Sequence, residues 1–240
     1  MSINLKAARK ELSEIKARAE ALEKLIENAK REPREIPYDL DVVIEGIKDG
    51  SLSSEIMVGD YIKADLLTGE EVKIIVIGEN HDVTPCGKKT NFTFGVFGME
   101  MWFPMNLTNT NETGWENCLM RTKYLPRIFN ILPRCLQNAI IPVQKETSKG
   151  GGKSKIISTA DKLFLFSEAE LSGKPSYSYD GEGEQYEFFK DCPENLFKEW
   201  SFLRSPYRGY GDYFCCVDGG DSFDYSYAGS RYAVAFGFCI

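Results

Sequence analysis

Leu5, Ala8, Leu12, Ile15, Ala19, Leu22, Ile26 and Ala29 recur at alternating spacings of three and four. On an α-helix that spacing gathers them into one narrow apolar seam with charged residues around the rest of the circumference, the pattern of a coiled coil. A helix packed on its own domain normally carries a wider apolar stripe. Residues 1–32 are therefore expected to form a coiled-coil oligomerisation helix that makes a homo-oligomer through residues 5–29. The three alanines in the seam leave the number of strands open.

Pro33 and Pro37 end this pattern, and "REPREIPYDLD" has the composition of a linker, so 33–56 is predicted to be a linker with a short helix around "VVIEGIKDG". From residue 57 the texture changes to short β-rich runs separated by turns, with "VKIIVIG" and "FTFGVF" the best strands. "GWENCLMRTKYLPRIFNILPRCLQNAI" is predicted helical, in two helices split before Pro133. "DKLFLFSEAEL" suggests a strand and then a short helix, and the tail offers two more strands, "YFCCV" and "YAVAFGF". Helices inserted among strands, rather than alternating with them, define an α+β domain over 57–240.

Composition narrows the class. The chain has 240 residues, 42% of them hydrophobic, enough for a real core. A net charge of -7 and a pI near 5.0 argue against a nucleic-acid binder, and no basic stripe with interleaved aromatics occurs. No apolar run approaches the roughly 20 residues of a membrane span, so no membrane insertion is expected. The charged amphipathic start does not resemble a signal peptide, and the expectation is cytoplasmic synthesis. Seven scattered cysteines without a CxxC pair predict reduced, mostly buried thiols.

Several apparent motifs lose their chemistry when the spacing is checked. "SKGGGKSK" ends like a phosphate-binding loop, but the first glycine would have to stand at Thr147, so a mobile polar surface loop is expected instead. His81, the only histidine, sits beside Asp82 without a marked nucleophile and is expected to serve in structural hydrogen bonding. Asp218, Asp221 and Asp224 stand three apart around two glycines, yet the closing glutamate of a calcium loop is missing. No metal and no cofactor is predicted. Asn91, Asn106 and Asn111 open glycosylation sequons and are expected to be turn and capping residues.

The strongest anomaly is in the tail. Lys, Glu, Gln, Met and Trp fill 54 of the first 204 positions and none of the 36 from Ser205 to Ile240. These five share one property: no codon ending in a pyrimidine encodes them. Asparagine AAY codons randomised at their adenines would leave this signature, giving Tyr, Asp, Ser, Gly, Cys, Arg and Phe but never Lys or Glu. The residues left are those of an antibody-like paratope, in which tyrosine gives a large rigid contact and Ser and Gly adapt. Tyr210, Tyr213, Phe223, Tyr225, Tyr227 and Tyr232 are the candidate anchors. Arg208, Asp212, Asp218, Asp221, Asp224 and Arg231 are the candidate polar contacts. Composition alone leaves open the alternative of a β-hairpin that turns half of its aromatics into the core.

"VGDYIKADLLTGEEVKIIVIGENHD", "MNLTNTNETGW", "LPRCLQNAIIPVQKET", "STADKLFLFSEAEL", "FLRSPYRGYGDYFCCVDGG" and the closing "GFCI" occur in this order. As an ordered set they resemble a bacterial and phage family, of otherwise unknown function, that includes variable target proteins of diversity-generating retroelements. The resemblance implies a C-type-lectin-like domain whose variable region, here about 205–240, is displayed on a fixed scaffold. It assigns framework roles to Leu203, Arg204, Ser205, Pro206, Tyr207, Phe214, Cys215, Val217, Gly237, Phe238, Cys239 and Ile240, and variability to positions from Arg208 to Tyr232. This chain departs from the usual G-V-A-P-G-F-C-I ending, with Ala233, Val234, Ala235 and Phe236 before Gly237. The function implied is non-enzymatic binding of a protein or cell-surface ligand, in a phage virion or a bacterium. The alternatives are a structural virion or scaffold subunit and a relative of formylglycine-generating enzymes using Cys215 and Cys216.

Overall fold

The computed structural model describes residues 5–28, 32–190 and 196–240, so that Ala29 of the seam and Cys192 lie outside the described residues. The chain divides into two compact units, Met1–Arg34 and Glu35–Ile240. Helix α1 (Leu5–Asn28) makes up the first. Its side chains from Arg9 to Glu20 are all exposed, seam positions included.

The second unit starts earlier than the sequence pattern suggested. The short helix expected within the 33–56 linker is present as α2 (Leu40–Asp49), and it buries Val43, Ile44 and Ile47, which share one helical face. The helix stops at Gly50, whose φ of 81° suits glycine. Residues from Glu35 thus belong to the domain.

The unit is α+β. In chain order its strands are β1 (Tyr61–Asp65), β2 (Glu71–Glu79), β3 (Phe92–Phe103), β4 (Val143–Gly150), β5 (Lys153–Asp161), β6 (Ser201–Pro206), β7 (Tyr213–Val217), β8 (Phe223–Tyr227) and β9 (Tyr232–Cys239). Seven of them form one sheet in the order β1-β2-β3-β9-β6-β7-β8, and β4 pairs with β5 as a separate hairpin. Only the β6–β9 pairing is parallel in the large sheet. Between β3 and β4 lie α3 (Gly114–Asn117), a π-helical turn (Met120–Tyr124), α4 (Leu125–Ile131) and α5 (Arg134–Ala139). Leu132 is extended, the conformation favoured before proline, and separates the last two. Short helices α6 (Glu168–Ser172) and α7 (Glu187–Lys190) precede β6.

Three local expectations change. "SKGGGKSK" is not a free loop but the turn of the β4–β5 hairpin, with Gly150, Gly151 and Gly152 all at positive φ. The apolar run before α6 is not a strand: Phe164 makes one isolated bridge to Gly237, and its ring packs against that glycine where a Cβ would collide. The acidic, glycine-laced tail contains a third strand, β8, at the edge of the sheet.

Phe92, Phe94, Phe164, Phe166, Phe202, Phe214, Phe236 and Phe238 are fully buried and dominate the core. Beside them lies a buried ionic cluster. The Arg204 guanidinium on β6 pairs with both oxygens of Glu170 on α6 and donates to the carbonyls of Leu165 and Glu182. Lys145 on β4 joins Glu170 to Asp82 and also donates to the Tyr186 hydroxyl at 2.7 Å. Burial works to raise the pKa of Asp82 and Glu170, but the attached cations override it and hold both carboxyls below their ordinary range. Burial likewise works to lower Lys145 and Arg204, and their carboxylate partners hold them above.

Two expected outcomes follow from the cluster. Arg204→Met strands part of the Glu170 charge in the core and should lower the unfolding free energy in urea by roughly 3–5 kcal/mol. With folded pKa values depressed, the stability from Asp82 and Glu170 is full above the unfolded carboxylate range near about 4 and is lost as pH falls toward the folded values. The parent melting temperature should therefore fall steeply below about pH 4, and more steeply than that of Arg204→Met.

Candidate functional site

The tail separates into two sets by burial. Leu203, Arg204, Ser205, Pro206, Phe214, Cys215, Val217, Gly237, Phe238, Cys239 and Ile240 are buried, and Tyr207 is half-buried. None of the twelve candidate contact residues is buried: Arg208, Tyr210, Asp212, Tyr227 and Arg231 are exposed, and Tyr213, Asp218, Asp221, Phe223, Asp224, Tyr225 and Tyr232 are half-buried.

Strand register explains much of this division. Tyr213 pairs with Tyr227, Cys215 with Tyr225 and Val217 with Phe223, so these six share one face of the β7–β8 ribbon. At the Val217 end that face is core, where Phe223 meets Leu171 and Phe189 around a small apolar hollow. At the other end it is open and tyrosines cover it. Tyr207 and Tyr225 stack at 4.0 Å with planes 6° apart, and Tyr213 lies 4.5 Å from Tyr227. Tyr210, 65% exposed, and Tyr177 complete a six-tyrosine shelf.

The shelf's loops are fixed from below. Asn111, fully buried, donates its side-chain amide to the carbonyls of Tyr207, Tyr210 and Tyr213, and its Oδ1 accepts the Gly151 N–H at 2.7 Å. A single side chain thus ties the Tyr207–Tyr213 loop to the hairpin turn. Glu168 accepts backbone N–H groups of Ser176, Tyr177 and Ser178 and so places Tyr177, while its own N–H donates to Ser205 Oγ. The Tyr227 phenol next to it, and then partial burial, push the Tyr213 hydroxyl up to about 12, and loss of solvent raises Tyr207. Tyr207 and Tyr213 are thus held in the neutral form, and the shelf offers ring faces and hydroxyls.

The remaining candidates do not join it. Asp218 caps the β7–β8 turn by accepting from Gly220 and Ser222, and Asp221, at φ 60°, accepts from Leu196 and Phe197. Both carboxylates are therefore occupied in holding the backbone. Asp224 lies on the opposite face of the ribbon, where the Tyr232 hydroxyl meets Ser226 at 2.7 Å and its ring packs on Phe202. Asp224 Oδ1 accepts the N–H of Tyr225 on this edge strand. Arg208, Asp212 and Arg231 are exposed in the loops at the ends of these strands. Tyr177 escaped the sequence reading, because nothing in "KPSYSYDGEG" marks it as a neighbour of the tail.

Other sites offer less. His81 makes no hydrogen bond through either ring nitrogen; its ring lies over Tyr186 at 4.1 Å, so packing replaces the expected bonding role. It borders a hollow of about 250 Å³ above the ionic cluster, whose carboxylates Asp82 and Glu170 are already paired. A wider cleft of about 460 Å³ runs between α4 and the end of β5, where Arg121 and Asp161 satisfy each other. Burial pushes the Cys215 and Cys216 thiols up, away from the reactive thiolate.

Residues 103–240 match the family described as Domain of unknown function (DUF6273). That is more than half of the chain, and the protein belongs to this family. No curated protein and no solved structure matches it.

The shelf's support is testable by a near-isosteric change. Asn111→Asp replaces an amide donor by a carboxylate facing three carbonyls, and should cost about 2 kcal/mol or more in chemical denaturation. Thr108→Ser, at an exposed position in the same loop, should stay within about 0.5 kcal/mol of the parent.

Proposed function

We propose that the protein is a non-enzymatic binding protein that uses the Tyr207–Tyr232 surface to hold a protein or cell-surface ligand. The observation that carries this reading is the division of the tail: its framework positions are buried except the half-buried Tyr207, and every candidate contact position keeps access to solvent. Tyrosine is suited to such a surface because it supplies contact area at small entropic cost. The resemblance to retroelement-diversified proteins fits the same division, since positions free of the core tolerate exchange. A C-type-lectin-like arrangement of the domain belongs to this proposal, as does variation of the displayed positions by a retroelement.

Homo-oligomerisation through a coiled coil of α1 completes the reading. Leu12, Ile15 and Leu22 are each more than half exposed on the isolated helix. Several domains on one oligomer would let weak single contacts add through avidity. A role in a phage virion is consistent with that multivalency. Catalysis by Cys215 and Cys216 is disfavoured because burial keeps both protonated.

The combined variant Tyr210→Ser, Asp212→Ser, Tyr227→Ser tests the surface. It should melt within a few degrees of the parent, whereas Phe214→Ala should cost about 3–5 kcal/mol. Screened on arrays of bacterial surface proteins and glycans, the parent should bind and the triple variant should lose that binding. Collapse of the triple variant, or binding that survives it unchanged, would favour a structural subunit whose tail only packs.

A further inference from the structure

The charges beside the α1 seam carry more than self-association. With Leu5, Leu12, Ala19 and Ile26 at heptad position a, and Ala8, Ile15 and Leu22 at d, the flanking e positions hold Arg9, Lys16 and Glu23. The g positions hold Glu11, Arg18 and the uncharged Leu25. All five charged flanking side chains are exposed on the helix. Position g of one helix faces position e of the following heptad on a parallel neighbour, whereas antiparallel helices set e against e and g against g.

The two orientations then differ in sign. In a parallel, in-register pair, Glu11 meets Lys16 of the second copy and Arg18 meets its Glu23, so both contacts are attractive and each occurs twice by symmetry. An antiparallel pair with Leu12 opposite Leu22 and Ile15 opposite Ala19 keeps the apolar layers equally well. It sets Lys16 against Lys16 and Arg18 against Arg18, and only Arg9 with Glu23 remains favourable. Every layer stays apolar in both registers, and the flanking charges favour the parallel one.

We propose that α1 associates with further copies of itself in parallel and in register. The inference rests on the homo-oligomer reading above. Because the domain, from Glu35, follows α1 in the chain, parallel association puts every copy's point of attachment at the same end of the coil. An antiparallel pair would put the two points of attachment at opposite ends. Gathering the attachment points at one end shortens the span between copies, which raises the effective concentration for binding one target.

Cross-linking distinguishes the arrangements. In a chain with Cys86→Ser and Cys192→Ser, thiols are introduced singly as Ala8→Cys and Ile26→Cys, and light scattering first establishes the mass under reducing conditions. In parallel, each variant alone should oxidise to a covalent dimer. In antiparallel, position 8 faces position 26 and identical positions lie about 27 Å apart at 1.5 Å per residue. Only the mixture of the two variants would then cross-link. That result would overturn the orientation and leave the oligomer intact. A monomeric mass for the parent chain would remove the oligomer reading and this inference together, and an oligomer that forms none of these cross-links would overturn the parallel, in-register coil. Loss of the oligomer in Ile26→Cys alone transfers the comparison to Ala8→Cys, whose self-cross-linking is decisive by itself.

Discussion

Arg204 and Glu170 are separated by 34 residues and meet in the core as a fully buried, doubly bonded ion pair. The rest of the domain is arranged around that constraint. Two charges removed from water are tolerable only if every remaining donor and acceptor finds a partner. The chain meets this demand with pieces from five places: Lys145 from the hairpin, Asp82 from the loop after β2, Tyr186 before α7, and the carbonyls of Leu165 and Glu182. An apolar core of similar volume tolerates small shifts in packing, whereas this one loses hydrogen bonds to buried charges when it shifts.

That rigidity extends to the surface. Glu170 also closes a capping box with Ser167 at the start of α6, and the neighbouring Glu168 holds the loop that carries Tyr177. Arg204 is followed directly by Ser205, Pro206 and Tyr207, so the ion pair fixes the strand that leads into the tyrosine shelf. Asn111 then pins the far side of the shelf. Side chains above such a base can differ in chemistry without moving the backbone, the separation a recognition surface needs.

The parts that were legible from sequence are those with a period or a composition. The heptads of α1, the apolar runs of β2 and β3 and the break at Pro133 follow from local rules, and the tail stood out because five residue types vanish from it. The pairing of Glu170 with Arg204 was invisible, since no local pattern links residues so far apart. Asn111 looked like an ordinary turn residue in a sequon, and its hold on three carbonyls depends on a loop about 100 residues later. Strand β8 was hidden because Asp218, Gly219, Gly220 and Asp221 read as loop, and they are in fact the turn that reverses the chain into it. In the segment 33–56 the short helix was legible, but the prolines and charges before it hid that its apolar face packs into the domain.

Strand β8 ends the sheet, and such an edge ordinarily invites any extended peptide to add itself as a further strand. Asp224 changes that. Its carboxylate already accepts the N–H of Tyr225, so an incoming backbone would have to displace a charged acceptor from the middle of the strand. Sequence-blind stickiness is thereby reduced at the place where aromatic residues are most concentrated. In the binding role proposed above, a partner would meet the identity of the side chains first, and such a surface could be tyrosine-rich without adhering to every unfolded chain it encounters.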